Sequence, residues 1–474
     1  MKRFITIAEI EALLSRGEHI LACSDNDVVT AAAKDLAQSK GVQIARGGAQ
    51  VICSPTTHAS AMAMNSRAAP TKEQIMSGPV ADDGPYQFNG RMRYDEFLRW
   101  REQFPILKNV AHVANCSQSA QSTRVRDGIN SYLDNWLTIG MDWNYWCEEV
   151  VKAKAEFAKL IGADTEEIAI TMSVSDAIGS VASALDFTGK RNKVVTTEAE
   201  FPTVGHIWLA NQKYGCRVDY VPVRDGIVDI NEYDRYIDDT TLLTSITHVY
   251  YQNGFKQDLD AIVDIAHRKG SLVLVDGYQA CGTCPLDVHK QNIDMYTTGT
   301  LKYLFGIPGI AFLYVNKNLV PKMKPALTGW FGQENPFSFK VRELDYASDA
   351  RRFDTGTPPV LASFAARAGL EIINEVGVGA IQERIDFLSK VAIEEADKHG
   401  LDMISPRDIS KKGGTTAIRL KMDSHEMEVE LAKRNIIASA RGKVIRVAPH
   451  FYTSAQDIVY VMDQIKDVIR IYER

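Results

Sequence analysis

Residues 271–315 read SLVLVDGYQACGTCPLDVHKQNIDMYTTGTLKYLFGIPGIAFLYV. Three runs in it, 271–276, 295–298 and 310–315, are short, apolar and bounded by turn-forming residues, the pattern of strands buried on both faces. The first ends in Asp276, where a carboxylate is expensive to bury unless a cation faces it. Lys302 follows Thr-Thr-Gly-Thr-Leu and precedes a Gly-Ile-Pro-Gly turn, between two of the runs. The 26 residues from Asp276 to Lys302 suffice for one crossover and a return to the same edge of a parallel sheet. That places an acid and a lysine at neighbouring strand ends. Taken alone, the pair competes with a plainer account, in which Asp276 forms a turn and Lys302 is a solvated charge.

Working outward, further strand-like runs lie at 168–172, 193–197, 217–221 and 242–247, separated by helical stretches such as 260–269. This alternation predicts an α/β fold built on a mostly parallel, seven-stranded sheet covered by helices. After Pro358 and Pro359 come a long helical run at 360–376, another from Ile381, and strand-like 416–420 and 444–447, a smaller α+β C-terminal domain. Near the N-terminus, 7–14 and 28–36 have helical spacing around an Asp25-Asn26-Asp27 turn, and 41–45 looks like a short strand. The expected organisation is a small accessory unit at 1–53, a linker or extended arm at 54–90, and an N-terminal segment of the catalytic unit at 91–150. A large domain at 151–345 and the small domain at 346–474 follow.

At 474 residues, with 45% hydrophobic and 24% charged side chains, the chain has the composition of a globular protein of two or three domains. Its net charge of −6 offers nothing to nucleic acid or to an anionic membrane. No window holds the ~18 uninterrupted apolar residues of a membrane span. The first twenty residues interleave charges with apolar positions, unlike a signal peptide. Seven cysteines without a dense framework suit a reducing compartment, so a cytoplasmic location is expected. Cys281 and Cys284 lack the second ligand pair that a zinc site needs, which favours a structural role.

An acid and a lysine so placed suit pyridoxal phosphate. The lysine amine condenses with the aldehyde, and the acid keeps the pyridine nitrogen protonated, strengthening the ring as an electron sink. Other segments agree. VDGYQA, TLKYLFGIPGIAFLYV, TMSVSDAIGSVASAL, TTEAEFPTVGHIW, RFDTGTPP and VIRVAPHFYTSAQDI occur in this order along the chain. Together they resemble, from about residue 109 to the end, a fold-type I pyridoxal phosphate enzyme of the class V aminotransferase group. Cysteine desulfurases, isopenicillin-N epimerases and kynureninases belong to it. The resemblance implies catalytic roles for Lys302 and Asp276. It implies a phosphate site at Ser173, Val174 and Ser175, where helix N-terminal amides and hydroxyls would act as donors; plain N-capping by Ser173 would look the same.

The resemblance further implies that Phe201 lies against the cofactor ring, that Gln279 bonds a ring oxygen and that Thr300 contacts phosphate. Trp330, in a Gly-Trp-Phe-Gly turn, and Thr357 fall in loops that in this group reach a partner's site, implying a homodimer with shared active sites. Arg446 is the expected clamp for the substrate carboxylate, and Asn115 falls in a substrate-side loop. Residues 1–53 resemble the N-terminal segment of some ethanolamine-utilisation adenosyltransferases, which implies docking to a larger assembly.

Desulfurases place His where Phe201 stands and a mobile Cys shortly before the arginine clamp. NIIASARGKVIRV holds none. Three reactions on a small amino acid remain: β-elimination, which is preferred, transamination, and kynureninase-like hydrolysis. A non-catalytic scaffold is the rival reading outside enzymes. A nicotinamide-binding site is disfavoured, because no G-x-G-x-x-G follows the first strand.

Overall fold

Side chains along the central strands alternate between two apolar clusters, one on each face of a single sheet. In Leu272–Asp276, Val273 and Val275 join one cluster while Leu274 joins the other. In Ala311–Val315, Phe312 and Tyr314 face the first, and Ala311, Leu313 and Val315 the second. A strand with helices on both sides must be apolar at every position, which is why these runs carry no polar alternation.

In this computed structural model, residues 83–473 are described throughout. Before them the described residues are 4–5, 14, 20–23, 28–29, 33, 36–37, 40 and 42–46. The chain divides into two compact units, Met1–Ala69 and Pro70–Arg474. In the first, Phe4–Ile5 pairs in parallel with Val28–Val29, and Ile20–Cys23 with Gln43–Arg46, over a small core containing Leu21, Ala33 and Val42. The strand read near 41–45 is present. Val28 and Val29 are strand rather than the start of a helix, a correction that follows from their β-branched, paired positions. The Asp25–Asp27 turn and residues 54–82 of the expected linker lie outside the described residues.

In the second unit the seven strands of the large sheet are numbered along the chain. They are β1 (Ile168–Thr171), β2 (Lys193–Thr197), β3 (Arg217–Val221), β4 (Thr241–Thr247), β5 (Leu272–Asp276), β6 (Met295–Gly299) and β7 (Ala311–Val315). Their order is β1-β7-β6-β5-β4-β2-β3, and all pairings are parallel except those that β7 makes with β6 and β1. Helices Trp143–Ile161 and Val360–Val376 pack together on one face; Val174–Ser183 and Pro202–Ala210 cover the other. A three-stranded antiparallel sheet, Thr416–Arg419, Val444–Val447 and Ser439–Arg441, forms a further core with helices Val378–His399 and Ala455–Tyr472. Residues near the start of this unit join that C-terminal core: Ala111–His112 pairs with Ile436–Ile437, and the buried Arg101 meets Asp457 at 2.7 Å.

Candidate active site

β5 and β6 are parallel neighbours with Asp276 in register with Thr297, and Lys302 lies three residues beyond the end of β6. Both residues line one cavity of about 330 Å³ outside the carboxyl ends of β4 and β5, where open α/β sheets bind their ligands. The Lys302 Nζ stands 4.0 Å from the Tyr278 ring centroid and 5.8 Å from that of Phe201. Gly299 makes the first contact possible, because a Cβ there would fall 2.3 Å from the Tyr278 Oη. Burial pushes the Lys302 amine down to about 8, against the opposing charge of Asp276; Arg446 and Arg441 push the same way as burial. An amine so tuned is free to react near neutral pH.

Asp276 is buried, and burial raises its carboxyl above the usual range. The Tyr278 N–H, 2.8 Å from Oδ1, and the Lys302 charge hold it down. No ion pair joins Asp276 to Lys302, and a protonated ring nitrogen is the kind of partner that a carboxylate buried there suits. Gln279 donates from Nε2 to the Cys116 carbonyl at 3.0 Å, while its buried Oε1 has no partner. One edge of a cavity-lining amide is therefore left for a ligand. Phe201 is 43% exposed on the cavity wall, at the start of the Pro202–Ala210 helix. Val174 and Ser175 open the Val174–Ser183 helix on the same wall, and their N–H groups have no intrahelical acceptor. A reactive amine, a buried acid lacking a cation, a flat apolar ring, an unfilled amide and a helix N-terminus together fit pyridoxal phosphate.

Several expected residues have other partners or other positions. Ser173 lines the cavity and also caps its helix: its hydroxyl accepts from Asp176 N at 3.1 Å and donates to the Asp176 carboxylate at 2.9 Å. Thr300 is fully buried and gives its hydroxyl to the Ile307 carbonyl, bracing the turn that carries Lys302. Asn115 is consumed structurally, donating to Ala448 O at 2.8 Å and accepting from Tyr452 Oη at 2.5 Å. Arg446 sits one layer behind the wall, donating to Tyr251 O and to the hydroxyls of Ser117 and Ser439 at 2.8–2.9 Å. Trp330 stacks on Trp143, and Thr357 is exposed; neither lines this cavity.

Five residues escaped the sequence reading, among them Arg441, whose side chain lines the cavity. Tyr278 sits between two motif positions. Ser117 and Tyr251 line the wall and link it to Arg446. Glu200, beside Phe201, is buried, with Oε1 accepting from Thr247 N at 3.1 Å and Thr197 Oγ1 at 2.9 Å. Its carboxyl is raised to about 8, by burial first and by the Asp276 charge.

The class V aminotransferase family model matches residues 143–466. An uncharacterized aminotransferase of Bacillus subtilis, YcbU, is 41% identical over 367 residues, covering 77% of this chain and 96% of the relative. A kynureninase of Pseudomonas fluorescens is 24% identical, with 79% and 93% covered. Among solved structures, a cysteine desulfurase from Thermococcus onnurineus aligns with a TM-score of 0.73 at 21% identity, covering 81% of this chain and all of that one. The cystine C–S lyase C-DES aligns at 0.71 and 19%, covering 77% and 99%. No helix among the described residues is long and apolar enough to cross a membrane. Over two thirds of its length the chain follows one family pattern on one fold: it belongs to the class V aminotransferases, and pyridoxal phosphate is its cofactor.

Proposed function

We propose that this enzyme transfers the amino group of an L-amino acid, with Lys302 as the base that moves the Cα proton. The observation that carries the reading is the single amine on the cavity wall, poised near neutrality between Tyr278 and Phe201. When bound, pyridoxal phosphate supplies an aldehyde that captures amines and a protonated ring that withdraws electrons from Cα. Asp276 would hold the ring nitrogen's proton, Phe201 would flank the ring, Gln279 would bond its oxygen, and the Val174–Ser175 amides would hold phosphate.

Transamination asks one base to take a proton from Cα and return it one carbon away. It needs no second acid. Elimination or hydrolytic C–C cleavage gains from an acid at the departing group, and among the described residues neither His nor Cys lines the cavity. The name of the Bacillus subtilis relative supports the same reading. β-Elimination is the second reading, favoured by hydroxyl side chains on the wall, among them Tyr251 and Ser117, as proton donors.

We further infer a homodimer. Trp136, Leu137, Ile139 and Met141 are 57–83% exposed at one helix end, and Phe339 and Val341 are exposed beside Trp330. Such apolar surface favours a partner, and a second copy would let Trp330 and Thr357 reach its cavity. The test is incubation with a panel of amino acids, with and without a keto-acid acceptor. Keto acid formed only when acceptor is supplied supports transamination; keto acid and ammonia without acceptor show elimination.

A further inference from the structure

One face of the hairpin at 439–447 carries two arginines. Ser439 stands opposite Arg446 across the antiparallel pair, and side chains two apart on a strand point the same way, so Ser439, Arg441 and Arg446 share that face. Their circumstances differ. Arg446 is buried and engaged, giving its guanidinium to the Tyr251 carbonyl and to the Ser117 and Ser439 hydroxyls at 2.8–2.9 Å, and it does not line the cavity. Arg441, at the end of its strand, does line it. Among the described residues its side chain makes one hydrogen bond, a local one from Nη1 to the Ala440 carbonyl at 3.3 Å. No carboxylate among them lies within ion-pair distance of it. The nearby acid Glu428 is turned to the strand instead, accepting from Ala440 N at 3.4 Å.

Among the described residues, Lys302 and Arg441 are the cations on the cavity wall and Asp276 is the carboxylate. With cofactor bound, Lys302 is engaged by its aldehyde, Asp276 serves the ring nitrogen and the Val174–Ser175 amides take the phosphate. An α-carboxylate that leaves water for this cavity needs a charged partner there. Among the described residues Arg441 is the one cation left to it. A guanidinium keeps its charge at ordinary pH, and its planar fork holds a carboxylate by two parallel bonds. Arg446 could turn to a ligand only by giving up the bonds that tie Ser117 and Tyr251, both on the wall, to the hairpin.

We propose that Arg441 is the residue that grips the substrate's α-carboxylate, and that Arg446, the arginine singled out by the sequence motif, is a positioning residue that holds the Ser117 and Tyr251 wall from behind. This rests on the reading of the cavity as an amino-acid site. It names the group that anchors the substrate there, and it moves that role to a residue the motifs pass over.

The test uses the holoenzyme, titrated with L-alanine, L-methionine, L-phenylalanine and L-aspartate, each beside its α-carboxamide, and followed by calorimetry and by the cofactor's visible absorption. The expected result is that each acid that perturbs the cofactor binds about tenfold to a hundredfold tighter than its amide. In R441Q that ratio falls to near unity, while cofactor content and melting temperature stay as they were, because the side chain is bonded only to its own neighbour. R441K recovers part of the ratio, since lysine supplies the charge without the fork. R446Q weakens acid and amide alike. Equal affinity for acid and amide in the unaltered enzyme overturns the proposal. So does a ratio that survives R441Q, a ratio lost in R446Q alone, or loss of cofactor from R441Q, which would put Arg441 on the phosphate. Each of these leaves the amino-acid reading standing. If no amino acid perturbs the cofactor, that reading fails and the proposal with it.

Discussion

Glu200→Gln separates a titrating buried carboxyl from a merely polar one. The Glu200 carboxyl is raised from 4.5 to about 8, chiefly by burial, then by the Asp276 charge, against bonds from Thr197 and Thr247. The folded protein therefore keeps this proton while the unfolded chain, ionising near 4.5, has lost it. Its contribution to stability is complete below pH 4.5 and drains away as pH rises towards 8. At about 1.4 kcal/mol per unit, the whole shift is worth on the order of 5 kcal/mol, and the step from pH 5.5 to 7.5 about 2.7 kcal/mol. Glutamine fills the same space and offers the same acceptor, but it does not titrate. Urea unfolding followed by tryptophan fluorescence at pH 5.5, 6.5 and 7.5, at fixed cofactor concentration, reads the difference. The variant should gain about 2–3 kcal/mol on the parent between the two ends of that range. A difference between the proteins that does not change with pH refutes the reasoning.

Other outcomes follow from the same geometry. Cofactor uptake by the cofactor-free protein should quicken as pH rises through about 8, where the free Lys302 amine loses its proton. In Tyr278→Leu, loss of the ring facing the ammonium at 4.0 Å should move that limb acidward by up to about one unit, read from the pH–rate profile. Asp276→Asn should retain cofactor yet lose on the order of a hundredfold in kcat, measured beside cofactor content. Asn115→Ala should cost about 1–3 kcal/mol in a thermal melt, because the buried Tyr452 O–H loses its acceptor and keeps only the bond it receives from Ala120 N, while the spectral response to substrate persists.

Much of the fold was legible because both faces of the sheet are buried. The side chains of β7, and of β5 up to Asp276 at its end, are accordingly apolar. The helix Val360–Val376 was equally plain, its buried face recurring at helical spacing. The helices Thr123–Ile139 and Trp143–Ile161 were not named, since the first buries only Val125 and Gly128 and mixes aromatic with polar positions throughout. Within the site, Asp276, Gln279 and Lys302 share one short stretch whose spacing alone brings them together. Asn115 was misjudged because its partners, Ala448 and Tyr452, lie more than 300 residues away. Arg446 was read as the clamp for the substrate carboxylate because an arginine on a strand does not announce that hydroxyls will occupy it. Arg441 went unnoticed for the reverse reason: a charge at a hairpin tip looks solvated until the fold turns it inward.

Among the described residues two buried lysines have amines pushed well below the ordinary range, Lys302 to about 8 and Lys412 to about 7, both chiefly by burial. Only Lys302 faces the cavity; Lys412 donates to Ser389 Oγ and the Gly413 carbonyl. Borohydride reduction of the purified holoenzyme followed by peptide mapping distinguishes them. The cofactor-derived mass should appear on the peptide containing Lys302 and on no other. A label on Lys412, or no covalent label at all, would contradict the assignment from which every role given to this site descends.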